Sequence, residues 1–320
     1  MTSGIPEPLA KVPRILDARA SHFAQMSASQ LFDSIRRTEG RTLAAEIVVP
    51  FPPLVDGVSN PELAAAFGAD LLILNFYDTH SPWITGLPDD PPASPHPGYG
   101  SAPLAQVAAL TGRPVGINLE PAAPEANLPE GRLATPDNAR LAVEHGAVCL
   151  LITGNPATGV TNRSIYDSLS KVRQAVGDRA IVMSGKMHGA GTWPVLGEDY
   201  RPLVTAEDVD AFAGAGCQVM LLPAPGTVPG LTLSQLADLA DRAHRKGLLV
   251  MTSVGTSQEG ADEATIRRIA LDAKEAGADI HHIGDAGYHG VAVPENILTY
   301  SLAIRGRRHT YRRMASSVLR

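Results

Sequence analysis

One mark of punctuation recurs along this chain of 320 residues: a helical stretch closes at a glycine, and a β-branched apolar run begins within one to four residues. The glycines are Gly68, Gly112, Gly146, Gly177, Gly216, Gly247 and Gly277, spaced 44, 34, 31, 39, 31 and 30 residues apart. Glycine in that position takes the left-handed conformation that ends a helix, and the spacing is that of one strand–helix unit. It predicts eight strands, at Thr42–Pro50, Asp70–Asp78, Pro114–Glu120, Val148–Asn155, Ala180–His188, Gln218–Pro223, Leu248–Val254 and Asp279–Asp285. Helix starts agree: Pro61–Glu62 follows Asn60, Pro136–Asp137 follows Thr135, and Glu207–Asp208 follows Thr205, each a cap and first-turn pattern.

Eight alternating units with nearly continuous apolar strands predict a closed (β/α)8 (TIM) barrel, because an open sheet needs hydrophilic edges. The competing fold is an open doubly wound sheet, but no G-x-G-x-x-G follows the first strand to support a dinucleotide-binding version. The expectation is one domain, residues 1–320, with the barrel over 42–320 and an N-terminal extension over 1–41. A helix at Ala28–Thr38 within that extension would cap the bottom of the barrel. Residues 79–100 hold six prolines and connect strand 2 to its helix; so long a loop on this face reads as a lid or interface arm.

Hydrophobic residues make up 44% of the chain, enough for one deep core. The formal net charge of −6 argues against nucleic acid as a partner. Cys149 and Cys217 lie in or beside apolar strands and read as buried free thiols. No apolar run approaches membrane-spanning length, so the chain reads as cytoplasmic, off the membrane, and a homo-oligomer.

In such a barrel, outward strand residues meet helices and inward ones line the mouth. Ile47 and Val49 outward put Glu46 inside; Ile117 and Leu119 outward put Asn118 and Glu120 inside. Asn75 is inward by the same count. Placing Ile181, Met183 and Met187 outside sets Ser184, Lys186 and His188 inside. Strand 8 admits either His281 or His282, of which His282 is taken as the site residue.

A Lys among carboxylates and amides is satisfied, whereas a lone buried Lys is costly. Lys186 is therefore a candidate Schiff-base nucleophile or electrostatic clamp, with Glu46 and Glu120 beside it. Glu46, Asp78 and Glu120 are alternative ligands for magnesium, which favours oxygen donors. No zinc spacing occurs, and the histidines at 80, 188, 281, 282 and 289 are scattered.

Phosphate-binding barrels cup their anion in turns after strands 7 and 8. Gly255 and Thr256 follow strand 7 here, and Gly284, Asp285 and Gly287 follow strand 8. The alternative is ordinary tight turns, with Asp285 repelling an anion. Arg305, Arg307, Arg308, Arg312 and Arg313 crowd the last helix. They read as a solvated or oligomer-facing surface, or as the source of one clamp on an anionic ligand.

The stretch carrying Thr158-Gly159, Leu169, Val172, Arg173, Val176 and Ser184-Gly185 resembles the BtpA-type barrel family. It departs from it at Lys186 and His188, which replace small residues, and in falling at strands 4–5. The resemblance implies a barrel with phosphorylated ligands and keeps open a non-catalytic assembly or regulatory role. The leading expectation is a lyase (aldolase-like) or isomerase acting on a small anionic, phosphorylated carbonyl metabolite through Lys186 and Glu120. The second is a magnesium-dependent phosphoenolpyruvate-type lyase or mutase.

Overall fold

The computed structural model describes residues 12–88, 102–189, 202–285, 287 and 289–320. Residues 89–100 of the proline-rich loop, and the start of the N-terminal extension, lie outside them. Eight parallel strands close in sequence order: β1 (Thr42–Val48), β2 (Leu71–Asn75), β3 (Val115–Leu119), β4 (Cys149–Ile152), β5 (Ile181–Gly185), β6 (Val219–Pro223), β7 (Leu249–Val254) and β8 (Ile280–Ile283). The closing pair is β1 with β8, in register at Ala45 and Ile283. The fold is a (β/α)8 TIM barrel.

Ten α-helices are assigned among the described residues: α1 (Ala20–Phe23) and α2 (Ala28–Arg36) before the barrel, then one after each strand. These are α3 (Asn60–Ala66), α4 (Pro103–Thr111), α5 (Pro136–Glu144), α6 (Asn162–Val176), α7 (Ala206–Gly214), α8 (Leu233–Arg245), α9 (Glu263–Glu275) and α10 (Pro294–Met314). All seven punctuating glycines have positive φ. Gly112 shows why: at φ 64° its N–H reaches back to the Ala108 carbonyl at 2.8 Å and ends α4. Several helix starts are capped by side chains, as where Thr135 Oγ1 accepts from the Asn138 N–H at 3.2 Å.

The strands are shorter than the sequence runs, because parallel pairing ends where each chain turns toward its helix. Asp78, Glu120, Lys186, His188 and Asp285 consequently stand beyond the ladder. The barrel interior is apolar below and polar above. Its lower half packs Ala44, Leu71, Ile73, Cys149, Ile181 and Met183 against Ile15, Phe23, Leu31 and Ile35 of the N-terminal segment. That segment closes the amino-terminal end. The cysteines are free and buried, and burial pushes the Cys217 thiol up to about 11.

The arginine-rich last helix is not a solvated face throughout, nor does it reach toward a ligand. Arg305 and Arg313 both bind the carboxylate of Asp70, a residue with no exposed surface. Arg313 also donates to the carbonyls of Ile15 and Ala18. Asp70 Oδ2 in turn accepts from the Leu43 N–H at 2.9 Å. This buried knot ties plug, barrel and last helix together at the bottom.

Candidate functional site

At the carboxyl ends of the strands lies a cavity of about 820 Å³. Glu46, Asn75, Asn155, His188, Glu259 and Asp285 supply much of its polar lining, and Phe51, Phe76, Met187, Leu203 and Val204 part of its apolar wall. Glu46 rises from β1 at its floor, buried, with Oε1 accepting from Asn75 Nδ2 at 3.1 Å and Oε2 facing His282 Nε2 at 3.4 Å. Burial acts to raise the Glu46 carboxyl, but His282, Asn75 and His188 outweigh it and hold it below the ordinary value.

His282 points inward, and His281 points outward to the Tyr300 hydroxyl and the Gly40 carbonyl. Ser253 on β7 meets His282 Nδ1 at 2.8 Å. Ser253 Oγ also lies 2.9 Å from Met187 Sδ. The one Ser253 proton serves either the His282 contact or the neighbouring Met187 sulfur.

The amides beside Glu46 have a fixed polarity. Phe76, a non-glycine residue at φ 62°, turns its N–H onto Asn75 Oδ1 at 2.9 Å. A backbone N–H is always a donor, so Asn75 Oδ1 is an acceptor and its Nδ2 must face Glu46 and Asn155 Oδ1, the latter at 2.7 Å. Asn118 presents Nδ2 to the same Asn75 oxygen at 3.0 Å, and its own Oδ1 is left without a partner.

Glu120 is taken up elsewhere. Arg132 donates to its Oε1 at 2.6 Å and the Asn155 N–H to its Oε2 at 2.9 Å. The Arg132 guanidinium also lies 3.9 Å over the Phe76 ring.

Three expectations are corrected here. Ser184 faces out of the barrel, with Oγ 3.2 Å from Cys217 Sγ. Strand β5 has the opposite phase to the one read from sequence, because Ile181 and Met183 fill the barrel interior. Lys186 therefore does not join Glu46 and Glu120. Its Nζ donates to the Val160 carbonyl at 2.7 Å, burial lowers its ammonium from the ordinary value, and neither carboxylate is within ion-pair distance of it. Met187, expected outside, lines the cavity.

Glu46, Asp78 and Glu120 do not fit one shared magnesium ion. Asp78 Oδ1 accepts from the N–H groups of His80 and Ser81 in its own turn, and Glu120 holds Arg132. No group of three metal-ligating side chains forms among the described residues.

The β7/β8 corner also differs from a phosphate cup. Gly255, Thr256, Gly284, Asp285 and Gly287 all line the cavity, but the Gly284 N–H donates to the Val254 carbonyl at 3.1 Å. Glu259, on the short turn Gln258–Gly260, places Oε1 3.0 Å from where a Cβ on Gly284 would stand. Burial first, and the nearby Glu46 second, raise the Asp285 carboxyl above its ordinary value. His188 is shifted down by burial and by Lys186, and its Nδ1 is buried without a partner.

Asn155, Glu259, Ser253 and Arg132 escaped the sequence reading. Ser253 alone left a signal, a polar residue two positions after Met251 on an otherwise apolar strand.

Fold and site together define a (β/α)8 barrel with a polar-floored cavity at its carboxyl-terminal face. The chain belongs to the family described as domain of unknown function DUF7916, whose model matches residues 16–320. A search of the curated proteins finds no match. Among solved structures, it is similar to the carboxyl transferase domain of Rhizobium etli pyruvate carboxylase with 3-bromopyruvate (11% identity, TM-score 0.52, covering 92% of this chain and 52% of that one). The chain thus spans about half of that structure. It also resembles deoxyribose phosphate aldolase from Aeropyrum pernix (14% identity, TM-score 0.46, covering 90% and 96%). A third likeness is to 2,3-dimethylmalate lyase, a PEP mutase/isocitrate lyase superfamily member (14% identity, TM-score 0.47, covering 81% of each). The first of these likenesses bears on the fold alone. The BtpA-type resemblance likewise reaches as far as the barrel. No helix among the described residues is long and apolar enough to cross a membrane.

Proposed function

We propose that this barrel is an enzyme of the lyase or isomerase kind that moves protons on a carbonyl substrate, with Glu46 and His282 as its acid–base pair. The observation that carries the reading is Glu46 at the cavity floor, gripped by His282 and Asn75 and sharing the cavity with Asp285. Two carboxyl groups in one site are pushed in opposite directions, Glu46 down and Asp285 up, which marks Glu46 as the one suited to act as a base. Glu46, with His282 behind it, takes a proton from the carbon beside the carbonyl, or from a hydroxyl whose loss of a proton lets the carbon–carbon bond break. Asp285 returns one. Asn155 lines the cavity and keeps an amide hydrogen beyond its bond to Asn75, available to an enolate oxygen. Lys186 is left out of this chemistry, since its Nζ is held by Val160. Phosphate is left out as well, because Glu259 and Asp285 bring negative charge to the corner that would hold it. An open cavity of this size favours an enzyme over an assembly factor.

The test is solvent exchange. A panel of ketones, hydroxyketones and 2-oxo acids is incubated with the protein in D2O and followed by NMR. At least one member loses an α-proton signal at a rate linear in enzyme, and Glu46→Gln slows it by about 100-fold or more. No exchange across the panel, or exchange indifferent to Glu46→Gln, overturns the reading.

A further inference from the structure

Barrels that bind phosphate leave N–H groups free after strands 7 and 8. In this chain the Gly284 N–H is spent on the Val254 carbonyl, and the Glu259 carboxylate stands over Gly284. Asp285 and Glu46 line the same cavity from adjacent strands, joined through the Ala45–Ile283 register. Among the described lining residues there are three carboxylates and no Lys or Arg. Three carboxylates disfavour an anion there and favour a cation.

One polar atom of a lining residue, His188 Nδ1, is buried without a hydrogen-bond partner, and His188 lies within electrostatic reach of Glu46. The feature a ligand has to match is the pair of carboxyl groups, Glu46 and Asp285, and a positively charged, donor-rich head matches it. The rest of the cavity is walled by Phe51, Phe76, Met187, Leu203, Val204 and Val228, with room for an apolar body.

Resting on the reading of the barrel mouth as the active site, we propose that its substrate carries a primary ammonium group on an apolar body, with the ammonium seated between Glu46 and Asp285. An ammonium offers three donors and no acceptor, and charge-assisted bonds to two half-desolvated carboxylates are stronger than neutral ones. The substrate is then an amino-bearing carbonyl compound, not a phosphorylated one.

Calorimetric titration with three probes of one shape decides it: phenylbutylamine, phenylbutanol and phenylbutanoate, with inorganic phosphate alongside. The amine binds at least about tenfold more tightly than the alcohol, a difference of about 1.4 kcal/mol, and the butanoate and phosphate do not saturate. Asp285→Asn removes the amine's advantage and leaves the alcohol's affinity unchanged, which also reports that the cavity is intact. Glu46→Gln does the same if Asp285→Asn fails to fold. Butanoate or phosphate binding as tightly as the amine, an amine that does not bind, or an advantage that survives both substitutions overturns the proposal. Binding and exchange fail separately. Amine binding without any α-proton exchange keeps the ligand class and removes the acid–base reading; exchange without amine binding does the reverse.

Discussion

Lys186 shows how a single residue can be misread by one position of phase. In β5 both alternating sets are apolar, Ile181 and Met183 on one side and Val182 on the other. The rule that outward residues are apolar cannot choose between them, because the lower barrel interior is apolar too. In β1 and β3 a single polar residue, Glu46 or Asn118, broke the tie, and their orientation was legible. The consequence for Lys186 is testable. With Nζ on the Val160 carbonyl it holds the loop after β4. Borohydride with a keto compound then adds no mass at Lys186. Lys186→Met lowers stability in urea by about 1.5–3 kcal/mol, the scale for a hydrogen bond from a charged donor, while α-proton exchange stays within about tenfold of the parent rate. A borohydride adduct at Lys186 would restore the Schiff-base mechanism.

His281, on the other face of β8 from His282, makes a second residue-scale prediction. Burial dominates its environment and pulls it from 6.5 down to about 4. Between those values the unfolded chain binds the proton and the folded chain does not, so stability rises with pH across that window. It is complete above about 6.5 and is lost as pH falls toward 4, by an amount on the order of 3 kcal/mol. Urea unfolding at about pH 7 and pH 5 reads this slope, and His281→Gln flattens it. The carboxylates held low, such as Glu46, lose their contribution only below their unfolded value of 4.5, outside that range. An unchanged slope in His281→Gln would assign the acid sensitivity elsewhere.

At the scale of elements, glycine punctuation carried the fold, because each αβ junction needs a left-handed residue and seven of them declared it. What punctuation cannot report is a break inside an element. Helix α10 contains one: Gly306, at φ 69° and ψ 173°, interrupts the helix between Arg305 and Arg313. That conformation is essentially reserved for glycine. The interruption brings guanidinium groups from both sides of it onto the one Asp70 carboxylate. Nothing lies within 4 Å of a Cβ added at Gly306, so Gly306→Ala meets conformational strain and no clash. It costs about 1–3 kcal/mol. Amide exchange protection falls across residues 307–314 and the plug segment 15–18 together, since Arg313 holds both. A loss of protection confined to Gly306 and its neighbours would mean that the knot does not depend on the break.

For the whole molecule, the two ends of the barrel hold different polar networks for different purposes. At the bottom, Asp70 with Arg305 and Arg313 is buried and fully paired. At the top, beneath and beside an open cavity, His282, Asn118 and His188 each keep a buried polar atom without a hydrogen-bond partner. Barrels place stability at the amino-terminal face and chemistry at the carboxyl-terminal face, and here the contrast in pairing marks which is which. Glu46 stands beside Ile73 on the neighbouring strand, three residues on from Asp70, or roughly 10 Å at the rise of a parallel strand. Substitutions at that separation add. Asp70→Asn strands two buried guanidinium groups and costs about 3–5 kcal/mol, yet the folded fraction exchanges α-protons at the parent rate. Glu46→Gln slows exchange by about 100-fold or more and takes away the smaller stability that the ionised carboxylate draws from His282 and Asn75. The double variant is then destabilised by the sum of the two single effects and as inactive as Glu46→Gln, with an interaction energy within about 0.5 kcal/mol of zero. An interaction well beyond that would show that the bottom knot sets the geometry of the site, and that Asp70 is a positioning residue for the chemistry at the far end of its strand.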